Sequence, residues 1–425
     1  MPRLCACAGR LTDAMQQPSE VRVDTAQWDV VVVGAGPGGS TTAALLAKEG
    51  VRVLVIDKDH FPRFHIGESL LPAAVDVQTR LGVRIDPNVF NWKAGATFVC
   101  ETTDRVARFD FAEALPGPPR HAYHVERPQF DALLRDRAVE LGAEVRHGVR
   151  VTNVAFEQDH VRVETDHGAQ IARFFVDATG QDRLLGKQYR TIEPYRHFGK
   201  AASFMHFDGI SRETLDEFAP HNDIRVMLVD EGWAWVIPLA NARFSVGLVS
   251  RKQGLSPNDV RNYVASSPML SRWTRGARPS EPRLIGNFSF RNTTPSGTRF
   301  ACVGDSACFI DPVFSSGVSL AMLSASTLAS RLVPALARRE EADPNLCASS
   351  HEEMERGYAT FAALVYRFYN THFARNFILG APAAGALRPA VTSVLAGDVL
   401  RFDNEFQDML LNSRLAQSHA ENGAV

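Results

Sequence analysis

The run Asp29-Val-Val-Val-Val33-Gly34-Ala-Gly36-Pro-Gly-Gly39-Ser40 decides the fold. Consecutive valines suit a strand buried on both faces of a parallel sheet. The three spaced glycines have separate tasks: a tight turn, close approach of backbone to a pyrophosphate, and close packing of helix on strand. Residues from Thr41 to Glu49 are helix formers that Gly50 stops, and Val51 to Ile56 is a second buried strand ending at Asp57. An acidic residue about 20 positions beyond the glycines suits the ribose hydroxyls of a non-phosphorylated adenosine. A helix N-terminus beginning near Ser40 offers N–H groups and partial positive charge to phosphates. This β-α-β unit therefore reads as a flavin or dinucleotide site built from Gly34, Gly36, Gly39, Ser40 and Asp57.

Working outward, Gln129 to Gly142 reads as a helix, followed by strands at Glu144–His147, Val151–Phe156 and Val161–Thr165. Phe174-Phe-Val-Asp177-Ala-Thr-Gly180 is another buried strand ending in a glycine turn. From Ala201 to Val249 the pattern alternates as in an antiparallel sheet, through Phe204–Phe207, Val226–Val229, Ala234–Ile237 and Phe244–Val249. Phe300-Ala-Cys-Val303-Gly304-Asp305 returns to a buried strand, ahead of an Ala/Leu/Ser helix from Val318 to Ala337. The tail from Ser350 reads as helical. No internal repeat or low-complexity tract is present.

Composition narrows the function class. A chain of 425 residues with 45% hydrophobic and 22% charged residues has ordinary globular proportions, enough for two or three domains. A net charge of -2 leaves no footprint for nucleic acid or an anionic membrane. No apolar run approaches the ~18–20 residues of a membrane span, and the first 27 residues lack the h-region of a secretory signal. The six cysteines (Cys5, Cys7, Cys100, Cys302, Cys308, Cys347) form no C-x-x-C pair, so a reduced, cytoplasmic setting is expected and no metal site. Cys5 and Cys7 are read as bystanders.

Three elements resemble the flavin site of the aromatic-hydroxylase superfamily: Val303-Gly304-Asp305 before a helix, the D-x-x-G turn Asp177–Gly180, and Arg127 in His-Val-Glu-Arg127-Pro-Gln-Phe. The resemblance implies FAD, with Arg127 on the pyrophosphate side and Asp305 at the ribityl side. No second G-x-G-x-x-G occurs, which points to reduced flavin supplied by a separate reductase.

Three longer motifs narrow the resemblance. Phe61-Pro-Arg63-Phe-His65-Ile-Gly67-Glu68-Ser69-Leu-Leu-Pro72 is similar to the loop that straps over the flavin in flavin-dependent halogenases, implicating Arg63 and Ser69. Gly232-Trp233-Ala-Trp235-Val-Ile237-Pro238 resembles their W-x-W-x-I-P signature. Phe309-Ile-Asp-Pro312-Val-Phe-Ser315-Ser316-Gly317 resembles their F-x-x-P-x-x-S-x-G pattern. The likeness covers roughly residues 28 to 410. It implies that reduced FAD and oxygen give a C4a-hydroperoxide, that halide attacks its distal oxygen, and that the hypohalous acid is delivered to an aromatic ring. Lys93, in Asn-Trp92-Lys93-Ala-Gly95, matches the family's delivering lysine, and burial would enlarge its neutral, nucleophilic fraction. Backbone N–H groups at Ser316 and Gly317 suit chloride or bromide, and the same turn can cap a helix. Trp233 and Trp235 match the pair that walls flavin from substrate; alternating aromatics of a half-buried strand are the plainer reading.

Halogenases of free tryptophan carry Glu-Ser-Thr-Gly where this chain has Phe314-Ser315-Ser316-Gly317, so their base is not carried over. The tail, including Leu395-Ala-Gly-Asp398-Val, resembles the short halogenases acting on pyrrolyl or phenolic groups, often tethered to a carrier protein. His65, His121 and His124 are the candidate bases, none singled out. The expected architecture is α/β: an FAD-binding Rossmann-like fold of aromatic-hydroxylase type, with an antiparallel-sheet substrate lobe and a helical C-terminal tail. The expected layout is an extension over 1–27, a discontinuous FAD-binding domain over 28–200 and 283–345, a substrate sheet over 201–282, and a helical region over 346–425. Competing readings are an FAD monooxygenase or reductase on the same fold, and an inactive flavoprotein-like partner of a biosynthetic complex.

Overall fold

A computed structural model describes residues 26–412 except 196–197, 200, 231, 252–253, 287, 370–372 and 381–384. Cys5, Cys7 and nearly all of the expected 1–27 extension lie outside the described residues. The opening motif folds as strand β1 (Trp28–Val33), helix α1 (Pro37–Lys48) and strand β2 (Val53–Asp57). Pro37 stands in the first helical turn, where its missing N–H costs nothing. β1 lies between β2 and the strand Gly168–Asp177, parallel to both, with Val30 opposite Val53 on one side and Phe174 on the other. Glu144–His147 extends the sheet beyond β2, and Phe300–Cys302 extends it beyond Gly168–Asp177. All the carboxyl ends of these parallel strands therefore open at one edge, where open α/β sheets bind ligands.

Two glycines are required by the backbone itself. Gly34 has φ +102°, and a Cβ there would lie 2.3 Å from the Ala178 carbonyl oxygen. A Cβ on Gly39 would sit 1.8 Å from Gly34 O. At Gly36 an added Cβ would meet only Arg63 Nη2, at 3.5 Å. That position is open within the protein.

The second large sheet runs through Arg278–Pro279, Ala201–Asp208, Arg243–Ser250, Gly232–Leu239, Ile224–Val229, Gly95–Cys100 and Arg105–Asp110, with Arg283–Gly286 also paired to Ala201–Asp208. It thus draws in the hairpin at 95–110 and the strand at 283–286, both from stretches the sequence reading placed with the FAD-binding domain. Gly95–Cys100 pairs parallel to Ile224–Val229, a long-range contact with no local signature. Along Gly232–Leu239 the side chains alternate: Trp233, Trp235 and Ile237 join the main core, while Ala234 and Val236 join a second core with Phe218, Phe244 and Trp273.

The helix Ser316–Arg338 is long and apolar enough to cross a membrane by length and composition. Its buried face includes Val318, Leu320, Met322, Ala325 and Leu332, and it packs against α1 and the helix Ala348–Tyr369. It is the central core helix of this fold. Cys100, Cys302, Cys308 and Cys347 are buried free thiols. No cluster with metal-ligand character occurs among the described residues.

Candidate active site

A cavity of about 600 Å³ runs from the glycine turn to the tryptophan strand. Its wall brings together Gly34, Gly36 and Asp57 of the opening motif, Arg63, Gly67 and Ser69 of the strap loop, Arg127, Asp305, Trp233 and Trp235, and Phe309, Ser315 and Gly317. Residues more than two hundred positions apart therefore meet around one space.

Asp57 ends β2 and is 5% exposed. Its Oδ2 accepts Ala35 N–H at 2.6 Å and its Oδ1 accepts Asp59 N–H at 2.8 Å, so the carboxylate braces the glycine turn while facing the cavity. Ser40 is placed differently. Its hydroxyl donates at 2.9 Å to Ala35 O in the glycine turn just before α1, and Ser40 does not line the cavity.

Arg127 stands at the start of the helix Arg127–Glu140 and donates from Nε and Nη2 to the buried Asp131, at 2.7 and 3.0 Å. Its Nη1 donates to Ile66 O at 2.8 Å, which ties the strap loop to this helix. Arg63 approaches the same Asp131, at 3.4 Å. One anion thus holds two guanidinium groups beside the cavity, a preorganised arrangement for a pyrophosphate. His65 is kept neutral, its pKa lowered to about 4 by burial and then by the Arg127 charge.

Asp305 accepts a hydrogen bond from Gln181 Nε2 at 3.1 Å, and burial pushes its carboxyl up to about 6. Two buried polar atoms of cavity-lining residues, Arg63 Nε and Glu68 Oε2, have no hydrogen-bond partner, Arg63 Nε having only the Asp59 carboxylate at 3.9 Å. Orphaned buried groups of that kind are normally satisfied. Together with the glycine turn, Asp57 and the paired arginines, they fit an elongated polar ligand with a pyrophosphate at its middle, as FAD has.

Trp233 and Trp235 also line the cavity and are both almost fully buried, with ring centroids 5.7 Å apart. Trp235 Nε1 donates to Ser245 Oγ at 3.1 Å, and a Cβ on the facing Gly247 would fall 2.2 Å from its ring. The turn before Ser316–Arg338 has Ser315 in the left-handed region (φ 57°). Ser315 and Gly317 face the cavity, whereas Ser316 is buried and does not. The halide expectation concerned backbone N–H groups of Ser316 and Gly317; the side chain beside the cavity is that of Ser315, while that of Ser316 is packed inward. Phe309 packs over Gly317, where an added Cβ would be 3.2 Å from the ring, so the two ends of the F-x-x-P-x-x-S-x-G stretch touch. Phe314 points away into an aromatic cluster with Phe98 and Phe368.

Lys93 is wholly buried, on the short strand β3 (Asn91–Lys93), and does not line the cavity. Its Nζ donates to Ser69 Oγ at 2.8 Å and to Leu70 O at 2.9 Å. Since Ser69 does line the cavity, the amine stands one hydroxyl behind the wall. Burial lowers its pKa to about 7, with Asp223 pulling weakly the other way. Of the three candidate histidines, His121 stacks on Trp92 near the surface and His65 sits with Arg127. Only His124 is buried with Lys93: its Nε2–H donates to Asn222 O at 2.7 Å and its Nδ1 has no partner. Burial and then the Lys93 charge keep it neutral.

The sequence reading passed over Glu68, His206 and Asp311. Glu68 Oε1 and His206 Nε2 lie 2.7 Å apart, both buried. Glu68 and Asp311 sit inside quoted motifs, but nothing local marks a lone His in an alternating strand.

A family model for tryptophan halogenases matches residues 29–115 and 103–376. Flavin-dependent halogenase armH3 of Armillaria mellea is 30% identical over 382 residues, covering 80% of this chain and 74% of that protein. The 1H-pyrrole-2-carbonyl-(peptidyl-carrier protein) chlorinase of Pseudomonas fluorescens is 31% identical over 342 residues, covering 73% and 76%. Among solved structures, flavin-dependent brominase Bmp2 superimposes with a TM-score of 0.80 at 25% identity, over 93% of this chain and 99% of that one. A flavoprotein/dehydrogenase from Cytophaga hutchinsonii gives 0.82 at 28% identity, over 93% and 99%. Matched over most of its length by that model and by relatives of this identity, the chain belongs to the tryptophan halogenase family and is a flavin-dependent halogenase with FAD as its cofactor.

Proposed function

We propose that this halogenase carries an electrophilic halogen past a tryptophan wall to Lys93 and onto an electron-rich phenol or pyrrole, free or tethered to a carrier protein. Reduced FAD, supplied by a separate reductase, furnishes with oxygen the oxidising power that turns chloride or bromide into an electrophile. The observation that carries this reading is a wholly buried amine, pushed towards neutrality by burial, one Ser69 hydroxyl behind the flavin cavity.

Each group has a task set by its chemistry. Gly36, at the turn's open position, admits the pyrophosphate, and Arg63 and Arg127 neutralise it. Asp57 accepts ribose hydroxyls and Asp305 ribityl hydroxyls. Gly317 and the turn beside it offer backbone donors to the halide without a competing carboxylate. Trp233 and Trp235 exclude the aromatic substrate from the flavin. The neutral fraction of Lys93 has a lone pair for the halogen, and its ammonium form can hydrogen-bond the hypohalous oxygen. A pyrrole nitrogen or phenol oxygen stabilises the ring cation itself, consistent with a Phe at 314 where tryptophan halogenases use a carboxylate. The pyrrole-carrier-protein chlorinase among the relatives supports that substrate class.

The test is mass spectrometry of reactions containing FAD, a flavin reductase, NADH and bromide or chloride, against phenols and pyrroles both free and carrier-loaded. A halogen isotope pattern that vanishes in Lys93→Met is the expected result. Oxygenated product without halogen would transfer the chain to the monooxygenase reading.

A further inference from the structure

Asp311 does not line the cavity, yet it joins the parts that do. It lies in the F-x-x-P stretch with its carboxylate fully buried. Four donors converge on it from four places in the fold. Oδ1 accepts Trp233 Nε1–H at 3.2 Å, from the tryptophan strand, and Val313 N–H at 3.1 Å, from the turn leading to Ser315. Oδ2 accepts Gly199 N–H at 2.8 Å and the Tyr369 hydroxyl, from the last residue of the helix Ala348–Tyr369. The approach at Gly199 is close, since a Cβ there would be 2.4 Å from Oδ2.

A buried carboxylate is costly unless its lone pairs are filled, and here all the partners are donors. Such an anion does not tolerate displacement of any one of them, because the remaining lone pair would be left bare. Trp233 and the turn's Pro312 and Ser315 all line the cavity. Through its bonds to Trp233 and Val313, Asp311 ties these two parts of the wall together without lining the cavity itself.

We propose that Asp311 is a positioning residue for halogenation: it pins the tryptophan wall to the halide-side turn and makes both answer to the helix Ala348–Tyr369 through Tyr369. The proposal rests on the halide and wall assignments above. The carboxylate matters as an acceptor. An Asn at 311 replaces one acceptor by an NH2 that faces donors, while keeping size and shape. Tyr369→Phe removes a single donor from outside the cavity.

The experiment compares FAD-loaded wild type, Asp311→Asn and Tyr369→Phe, with phenol as aromatic probe and bromide as halide. Three quantities are read: FAD affinity by fluorescence, KM for bromide, and hydrogen peroxide formed per NADH consumed. Asp311→Asn should raise the bromide KM about 10-fold, as expected for losing a hydrogen bond to a charged group, and raise the peroxide share, with FAD affinity within about 3-fold of wild type. Tyr369→Phe should move both in the same direction by about 3-fold. It decides alone where Asp311→Asn fails to fold. Folded variants with wild-type bromide KM and peroxide share overturn the proposal. If the wild type brominates nothing, the function reading has failed, and near-ultraviolet circular dichroism of the indoles decides the positioning role: an altered signal in the variants supports it, an unchanged one overturns it.

Discussion

Replacing Lys93 by Met tests the buried amine directly. Met is unbranched and of similar length, so it can fill the space without overpacking. A folded-state pKa of about 7 against an ordinary 10.5 means that the unfolded chain binds a proton the folded chain does not throughout that interval. Stability of the wild type must then rise as pH climbs from about 7 towards 10.5, by about 1.4 kcal/mol per unit. Between pH 7 and about pH 9 the wild type should gain about 2 kcal/mol that Lys93→Met does not. Losing the bonds to Ser69 Oγ and Leu70 O adds an offset of about 1–3 kcal/mol per orphaned group, but that offset does not depend on pH. The readout is urea denaturation of both FAD-loaded proteins at several pH values. Two parallel profiles would falsify the lowered pKa and, with it, the argument that Lys93 offers a neutral lone pair near pH 7.

Other outcomes follow from the cavity. Gly36→Ala should fold as wild type, because its methyl meets only Arg63 Nη2, yet bind FAD at least about 10-fold more weakly; unchanged affinity would remove Gly36 from the pyrophosphate site. Gly34→Ala forces a side chain into φ +102° against Ala178 O, and its soluble yield should collapse, the strain alone being about 1–3 kcal/mol; recovery of ordinary holoprotein contradicts the strain argument. Asp305 has its carboxyl pushed up to about 6, so FAD binding should weaken as pH falls below about 6 and the ribityl acceptor is protonated. Asp305→Asn should flatten that profile, and a wild-type affinity constant from about pH 5 to 8 rules the role out.

Local pattern alone determined the β1-α1-β2 unit. Its valines, its glycine spacing and Asp57 all act within thirty residues, and the structure places them together around the turn. The helix Ser316–Arg338 was legible for the same reason, within a residue or two at its ends. Motif spelling drew attention to the strap loop, the tryptophan strand and the turn before the helix. It did not say which way each side chain points. Ser40 bonds back to Ala35 in the glycine turn, and beyond the left-handed Ser315 the side chain of Ser316 packs inward while Ser315 lines the cavity. The pairing of Gly95–Cys100 with Ile224–Val229 could not be read either, since strand partners more than a hundred residues apart leave no periodic mark.

The buried chemistry was decided by tertiary structure alone. A lysine's pKa depends on what surrounds it, and Lys93 is surrounded by segments near 69, 111, 124 and 223. Asp311 is one residue of a motif in the chain. In the fold it gathers donors from residues 199, 233, 313 and 369, and desolvation makes every one of them matter. Sequence fixes which groups are available; only the packing of distant segments removes the water that gives those groups their energies.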